Sequence, residues 1–304
     1  MNRIVKALML MALSGLIFSC NEKEGDNFNE QLNADSEMIE AFLTNNSIPN
    51  QKVIDGIYEA SITDGTGTEI SPSQIIEISF TLRKFDTGEE FYEDTSYTFI
   101  PNKGFFVEGV AGNFIGLNEV VRHMNVGDKS DFYIASGYMF GSLSGEFNDI
   151  TINSNQIIVA QIEAIAQRTE NEQKDHEDQV INSLITEAEF TDPEELANGV
   201  YRIITEEGTG DETIASNSGV TVAYKGSLIN GETFDESNNA TFTNIGNLIE
   251  GWKIGLTGLK KDTKIVLFIP SHVAYGENGS FTQTGYVAIP SFETLIFEVE
   301  ILDF

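Results

Sequence analysis

The segment that decides the fold lies near the C-terminus and reads Leu295-Ile296-Phe297-Glu298-Val299-Glu300-Ile301-Leu302. Apolar residues occupy every second position and Glu298 and Glu300 lie between them, which predicts a strand with one buried and one solvated face. Residues 220–224 alternate in the same way. Leu248, Trp252 and Leu256 instead recur at a spacing of four, which predicts a short helix. Strands that surround one short helix indicate an α+β fold.

The chain repeats itself. Gly56-Ile57-Tyr58 recurs 143 residues later as Gly199-Val200-Tyr201, and Phe132-Tyr133-Ile134 aligns 135 residues later with Leu267-Phe268-Ile269. The shorter second spacing predicts a deletion in a loop of the second copy. Two copies in 304 residues predict two domains of the same α+β class.

A short helical pattern precedes each copy. It consists of Met38, Ile39, Phe42 and Leu43 before the first copy and of Ile181, Leu184 and Ile185 before the second. In chain order, we expect a signal peptide at residues 1–19, a lipidated flexible tether at 20–35, a first domain at 36–168, a charged linker with a helix at 169–198, and a second domain at 199–304.

The composition excludes several classes of function. The chain has 48 acidic and 17 basic residues and a formal net charge of −31, which argues against binding to nucleic acid or charge-driven docking on an anionic membrane. Cys20 is the single cysteine, so no internal disulfide can form, and the three histidines lie far apart in sequence. This argues against a zinc site or a cysteine nucleophile, and we expect neither metal nor cofactor.

The N-terminus has the features of an export signal. Arg3 and Lys6 precede an apolar run over residues 7–18 that is too short to span a bilayer. Residues 17–20, Ile-Phe-Ser-Cys, resemble a bacterial lipobox, which implies a lipid anchor on Cys20. Asn21 after the cysteine favours the outer membrane. The alternative is an ordinary secretory signal with a cysteine near its cleavage site.

Six segments of the second copy follow one another in a fixed order. They are Val222-Ala223-Tyr224-Lys225-Gly226, Gly231-Glu232-Thr233-Phe234-Asp235, Leu248-Ile249-Glu250-Gly251-Trp252, Ala274-Tyr275-Gly276, Ile289-Pro290 and residues 295–302. In this order they resemble the FKBP-type peptidyl-prolyl cis-trans isomerase family. The resemblance implies a five-stranded antiparallel sheet wrapped around a short helix, with a shallow apolar pocket between them.

The resemblance also implies the reaction and the residues of the site. Rotation about an X–Pro bond has a barrier of about 18–20 kcal/mol, and an apolar pocket can bind the twisted amide better than the planar one without nucleophile or metal. The implied roles are Trp252 as the floor, Tyr224, Phe234 and Phe297 as walls, Asp235 beside the twisting carbonyl and bonded to Tyr224, Tyr275 as a hydroxyl donor, the Ile249 N–H as a second donor, Leu248 along the rim, and Ile289 in the closing loop. Phe242 is the single aromatic residue before the Ile245-Gly246 turn, where the family usually has more, so we expect a more open pocket.

The first copy keeps the framework but not the polar groups of the site. Its counterparts are Leu117 for Trp252, Tyr92 for Asp235, Phe80 for Tyr224, Phe140 for Tyr275 and, approximately, Ile152-Asn153 for Ile289-Pro290, with Phe91 retained as a wall. We expect this copy to be a weak or inactive isomerase that serves as a binding or spacing module. The alternative is a second active domain with an unusual pocket.

The leading hypothesis is a lipid-anchored prolyl isomerase that assists the folding of exported, proline-containing proteins. A second hypothesis is a non-catalytic chaperone or adaptor that holds its partners with FKBP-like domains. A third hypothesis is a role like that of the isomerase lipoproteins associated with gliding motility, which also carry FKBP domains behind a lipobox. The sequence does not distinguish this role from general assistance of protein folding.

Overall fold

The computed structural model describes residues 22–105, 114–147, 149–283 and 285–304. They form two six-stranded antiparallel sheets and four α-helices, so the α+β class predicted from the strand and helix patterns is confirmed. The expected signal peptide and Cys20 lie outside the described residues. Among the described residues, no helix is both long enough and apolar enough to cross a membrane.

The first domain comprises the first two helices and the first eight strands. Their bounds are α1 (Glu22–Asn45), β1 (Gln51–Ile54), β2 (Ile57–Thr63), β3 (Ile75–Lys84), β4 (Glu90–Phe99), α2 (Ile115–Val121), β5 (Lys129–Ile134), β6 (Gly145–Phe147), β7 (Ile150–Ile152) and β8 (Ile158–Arg168).

The second domain comprises the remaining elements. Their bounds are α3 (Glu170–Glu187), β9 (Glu194–Glu195), β10 (Tyr201–Glu206), β11 (Val220–Leu228), β12 (Thr233–Phe242), α4 (Glu250–Leu256), β13 (Lys264–Ile269), β14 (Ser280–Phe281), β15 (Val287–Ile289) and β16 (Leu295–Asp303).

The two main sheets have the same topology. The strand order is β1-β2-β5-β8-β3-β4 in the first domain and β9-β10-β13-β16-β11-β12 in the second. Each domain adds a two-stranded hairpin, β6–β7 or β14–β15. The family resemblance implied five strands, and each sheet has a sixth, because a short strand (β1 or β9) pairs at one edge.

The two faces of the second sheet are buried to different extents, which explains the alternation in β16. Phe297 and its neighbours on one face pack with Trp252 of α4, whereas Ile296 on the other face packs towards Ile181 and Ile185 of α3. Glu298, which lies on the same face as Ile296, is exposed, as the alternation predicts. The apolar face towards α4 therefore forms the surface on which a pocket can be built.

The prediction of a flexible tether at residues 20–35 is wrong for its described part. Residues 22–35 belong to α1, which packs on the first domain. The ring of Phe28 makes an edge contact with Tyr138 at 6.0 Å between centroids, and Asp35 is fully buried and accepts a hydrogen bond from the Ser136 N–H. The polar composition of this segment gave no sign of the packing, because the segment contacts residues about 100 positions away in sequence.

The charged run after the first domain is also an ordered helix. It forms the N-terminal half of α3, where Thr169 and Glu172 make a capping box, and one face of the helix is buried at Gln173 and Glu177. Leu248 departs from its predicted place, since it lies in the turn before α4 and not on the helix itself. The helix therefore buries Trp252 and Leu256 without Leu248.

The predicted loop deletion lies between a strand and the short helix. Residues 100–114 connect β4 to α2, whereas only residues 243–249 connect β12 to α4. The difference is eight residues, which equals the change in repeat spacing from 143 to 135. Phe105, which lies in the longer connection of the first domain, is fully buried in the core of that domain.

Candidate active site

Trp252 lies at the centre of an aromatic cluster in the second domain. Its ring makes edge contacts with Phe297 at 5.2 Å, Tyr224 at 5.3 Å and Phe242 at 5.6 Å between centroids. Phe234 joins through an edge contact with Phe297 at 5.6 Å. Trp252 and Phe297 are buried, and the other three rings are partly exposed. The structure thus brings the predicted floor and walls together around a partly open apolar surface.

A tyrosine and a carboxylate form the polar edge of this cluster. The Tyr224 hydroxyl donates a hydrogen bond of 2.6 Å to Oδ2 of Asp235, which lies on the neighbouring strand β12. Burial, followed by this hydrogen bond and the carboxylate charge, raises the pKa of Tyr224 well above its ordinary value, so the phenol stays protonated. Asp235 itself is exposed to solvent.

Tyr275 supplies a second phenol at the mouth of the cluster. Its side chain is 38% exposed, and burial together with the Asp235 charge raises its pKa. In the described part of the chain, the Tyr275 hydroxyl and the backbone N–H of Ile249 have no hydrogen-bond acceptor. Two donors are therefore available to a ligand that lies on Trp252.

The remaining predicted residues lie around the same surface. Leu248 and Ile249 are partly buried and pack against the core of the second domain immediately before α4. Ile289 ends β15 and is buried in the core of the second domain, so it does not line the open rim. All ten predicted pocket residues are thus found in one region of the second domain, with Ile289 further inside than expected.

Gly226 is a site residue to which the sequence reasoning assigned no role. A Cβ atom at this position would lie 2.7 Å from ring atoms of both Phe234 and Phe297. A glycine in β11 therefore lets the two aromatic walls approach the strand and each other. Its presence inside a β-strand, where glycine is unfavourable, is the signal that could have identified it.

A comparison with known proteins agrees with this geometry. Residues 210–302 match the model of the FKBP-type peptidyl-prolyl cis-trans isomerase family. The match contains β11, β12, α4 and β16, and therefore all the aromatic residues described above. Residues 210–302 of the second domain are thus similar to this isomerase family.

Relatives of known sequence are similar over the same region. The isomerase FkpA of Buchnera aphidicola from Schizaphis graminum is 39% identical over 110 residues, which are 35% of this chain and 41% of that protein. FkpA of Escherichia coli K12 is 39% identical over 107 residues, which are 34% of this chain and 37% of that protein. The match thus spans less than half of the length of these curated relatives.

Two solved structures of other proteins are also similar to parts of this chain. The crystal structure of FkpA from Escherichia coli is 33% identical and covers 44% of this chain and 61% of that one, with a TM-score of 0.35. The three FKBP domains of wheat FKBP73 are 18% identical and cover 84% of this chain and 98% of that one, also with a TM-score of 0.35.

Strand register relates the two domains residue by residue. In the second domain Gly226 pairs with Asp235 and with Phe297, and in the first domain Leu82 pairs with Tyr92 and with Ala160. Tyr92 therefore stands where Asp235 does, as the sequence alignment predicts. The register also shows that small and large side chains are exchanged between the domains. The second domain has a glycine paired with a phenylalanine, and the first has a leucine paired with an alanine at the same positions.

Aromatic side chains fill the corresponding pocket of the first domain. Phe80, the counterpart of Tyr224, stacks on Tyr92 at 5.4 Å and makes an edge contact with Phe105 at 5.2 Å. Phe105 comes from the longer β4–α2 connection and is fully buried. Phe147 of β6 covers Phe91 and Tyr92 at 5.7 Å from each. The aromatic surface that is open in the second domain is thus core in the first.

A groove of about 890 Å³ lies on the opposite face of the second sheet. Its lining includes Phe190 after α3 and the outward-facing side chains of Lys225, Lys264 and Glu298. Trp252 packs on the other face of the same sheet, so this groove is separate from the aromatic site.

Proposed function

We propose that this protein is a peptidyl-prolyl cis-trans isomerase whose activity resides in the second domain. The observation that carries the proposal is the open cluster of Tyr224, Phe242 and Phe297 around Trp252, with the Tyr224–Asp235 pair at its edge. The substrate is an X–Pro segment of a polypeptide, with the proline ring seated on the indole.

The geometry suits a reaction that needs no covalent intermediate. Twisting the X–Pro bond removes amide resonance and lowers the charge separation on the carbonyl, so an apolar surface binds the twisted form better than the planar one. The Tyr275 hydroxyl and the Ile249 N–H hold the flanking backbone carbonyls. Binding energy from these two hydrogen bonds orients the proline ring on Trp252 and favours the twisted state.

Truncation of the floor tests the proposal directly. In the full chain, Trp252→Ala should lower kcat/KM for a proline tetrapeptide by at least about tenfold, because it removes the surface on which the twisted bond lies. Leu117→Ala truncates the same position of α2 in the first domain and is the matched control, which should leave kcat/KM unchanged. Equal activity of the wild type and the folded Trp252→Ala variant would refute the site.

We propose further that the first domain is not catalytic and serves as a binding or spacing module. Phe105 and Phe147 fill its pocket, and Tyr92 and Phe140 replace the carboxylate and the donor phenol. Isolated residues 22–168, if they fold, should show no catalysis of prolyl isomerisation above the uncatalysed rate. Turnover by that fragment would contradict this assignment.

We propose that the chain is anchored by a lipid on Cys20 at the cell envelope, at the outer membrane, where its clients are exported proteins that contain proline. The support is the lipobox-like sequence at residues 17–20 after a short apolar run. Metabolic labelling with a radioactive fatty acid should mark the wild type and not Cys20→Ala. Equal labelling of both would exclude this anchor.

A further inference from the structure

A buried carboxylate joins helix α3 to the loop that carries Tyr275. Glu177 accepts hydrogen bonds from the backbone N–H and from the hydroxyl of Ser271, each at 2.7 Å. Gln173, one turn earlier, donates to the same carboxylate at 3.0 Å. Glu177, Gln173 and Ser271 are at most 5% exposed, so this contact is shielded from solvent.

The first domain contains the same arrangement. Asp35 of α1 accepts from the backbone N–H of Ser136 at 2.8 Å and from its hydroxyl at 2.6 Å, and Gln31 donates to Asp35 at 2.7 Å. Gln31 and Asp35 precede Gln173 and Glu177 by 142 residues each. The carboxylate is therefore part of the repeating unit, although its helices lie outside the segment matched by the isomerase family.

The contact fixes the start of the loop. Ser271 is the first residue of a short 3-10 turn over Ser271–Val273, where the backbone N–H has no partner within the turn, and Glu177 satisfies it. The Ser271 carbonyl then accepts from the Ala274 N–H at 2.9 Å. Tyr275 follows immediately, so its backbone position depends on where Glu177 holds Ser271.

We propose that Glu177 is a positioning residue for Tyr275, holding the loop so that the Tyr275 hydroxyl faces a substrate bound on Trp252. This inference rests on the proposed isomerase function. It assigns a role in that reaction to a helix that precedes the FKBP-type segment, and it explains why a carboxylate is buried there despite the desolvation penalty. In the first domain the same contact supports the loop that carries Phe140, which is partly buried against the core and has no hydroxyl, so the contact has no catalytic consequence there.

Three variants of the full chain test the proposal. Glu177→Ala should raise KM for a proline tetrapeptide about five- to tenfold with a smaller change in kcat, because it loosens a group that binds substrate. Glu177→Gln should restore KM to within about twofold, since an amide can accept from the Ser271 N–H and donate to its hydroxyl. Asp35→Ala breaks the matching contact in the first domain and should leave KM unchanged.

A double variant separates positioning from a general loss of structure. If Glu177 acts through Tyr275, adding Glu177→Ala to Tyr275→Phe should raise KM no further than Tyr275→Phe alone. Additive effects of the two substitutions would overturn the proposal. So would an unchanged KM in Glu177→Ala, or an equal rise in KM in Asp35→Ala.

Hydrogen exchange distinguishes this inference from the proposed function. Amides of residues 272–276 should exchange faster in Glu177→Ala than in the wild type or in Asp35→Ala, whether or not the protein is active. If the wild type has no isomerase activity but Glu177→Ala still exchanges these amides faster, the proposed function is refuted and the structural link between Glu177 and the loop stands. Unchanged exchange at these amides would remove the link itself.

Discussion

At the scale of single residues, the two domains differ most sharply in an exchange of small and large side chains. Gly226 beside Phe297 leaves room for two aromatic walls, whereas Leu82 beside Ala160 fills the same space with an aliphatic core. Because protein interiors are close-packed, the sizes of the two paired side chains determine which other side chains can pack against that part of the sheet. The open aromatic surface of the second domain therefore depends on a residue that carries no side chain.

Substitution of Gly226 should displace the aromatic side chains that pack against β11. Gly226→Ala would place a methyl group 2.7 Å from the rings of Phe234 and Phe297, so one ring must move. We expect a loss of about 1–3 kcal/mol in the free energy of unfolding and a several-fold lower kcat/KM. Denaturant unfolding followed by the fluorescence of Trp252, the single tryptophan, measures the first, and no change in either would contradict the packing described.

The buried Glu177 predicts a specific pH dependence of stability. Burial raises its pKa, against the opposing effects of its hydrogen bonds from Ser271 and Gln173 and the charge of Lys174. Since the folded state binds this proton more tightly than the unfolded state, the free energy of unfolding rises as pH falls through the raised pKa and levels off below the unfolded value. Glu177→Gln lacks the titrating carboxyl group and therefore this pH-dependent contribution to the free energy of unfolding. The wild type should therefore gain stability relative to Glu177→Gln as the pH falls through the raised pKa towards the ordinary pKa of a glutamate, and parallel curves would contradict the assignment.

At the scale of elements, α1 is part of the first domain and not a tether. Its buried face consists of Asp35, Ile39 and Leu43, which pack against Tyr58, Tyr133 and the Ser136 turn. Deletion of residues 22–35 should therefore destabilise the first domain by several kcal/mol, through loss of a buried hydrogen-bonded carboxylate and helix packing. Hydrogen exchange in β5 measures this, and unchanged protection would restore the tether interpretation.

The sequence predicted local features better than distant ones. Alternation at residues 295–302 and the repeat spacing identified the strands, the duplication and the loop deletion, because each depends on neighbouring residues or on self-similarity. Asp35 was assigned to a tether because its partner Ser136 lies 101 residues away. No role was predicted for Phe105, since only the folded first domain shows that it packs on Phe80 in the pocket. In the second domain the predicted pocket residues lie in one region, and their order along the chain is the signal that predicted them.

At the scale of the whole molecule, two separate cores predict two unfolding transitions. The first domain has its own clusters around Leu117 and Ile39, and the second around Trp252 and Ile181. Trp252 reports on the second domain alone. Asp35→Ala should therefore lower a transition seen by far-UV circular dichroism and leave the fluorescence transition in place. A parallel shift of both signals would show that the domains unfold as one unit.

The net charge of −31 is distributed away from the proposed site. Glu298 and other acidic residues lie on solvated faces, whereas Asp235 is the one carboxylate among the proposed pocket residues. Charge on solvated faces does not by itself select an apolar substrate. Under the proposed function, binding of an X–Pro segment depends on the apolar aromatic surface, and its affinity should change little with ionic strength.

The central claim is that isomerisation occurs in the second domain and not in the first. The most direct measurement is the rate of cis–trans exchange of a proline tetrapeptide with the full chain carrying Trp252→Leu and Asp235→Tyr, which gives the second domain the residues of the first. With folding verified by circular dichroism, the account predicts exchange at the uncatalysed rate. Catalysis that persists at more than about a tenth of the wild-type value would contradict it, because another part of the chain would then be turning over substrate.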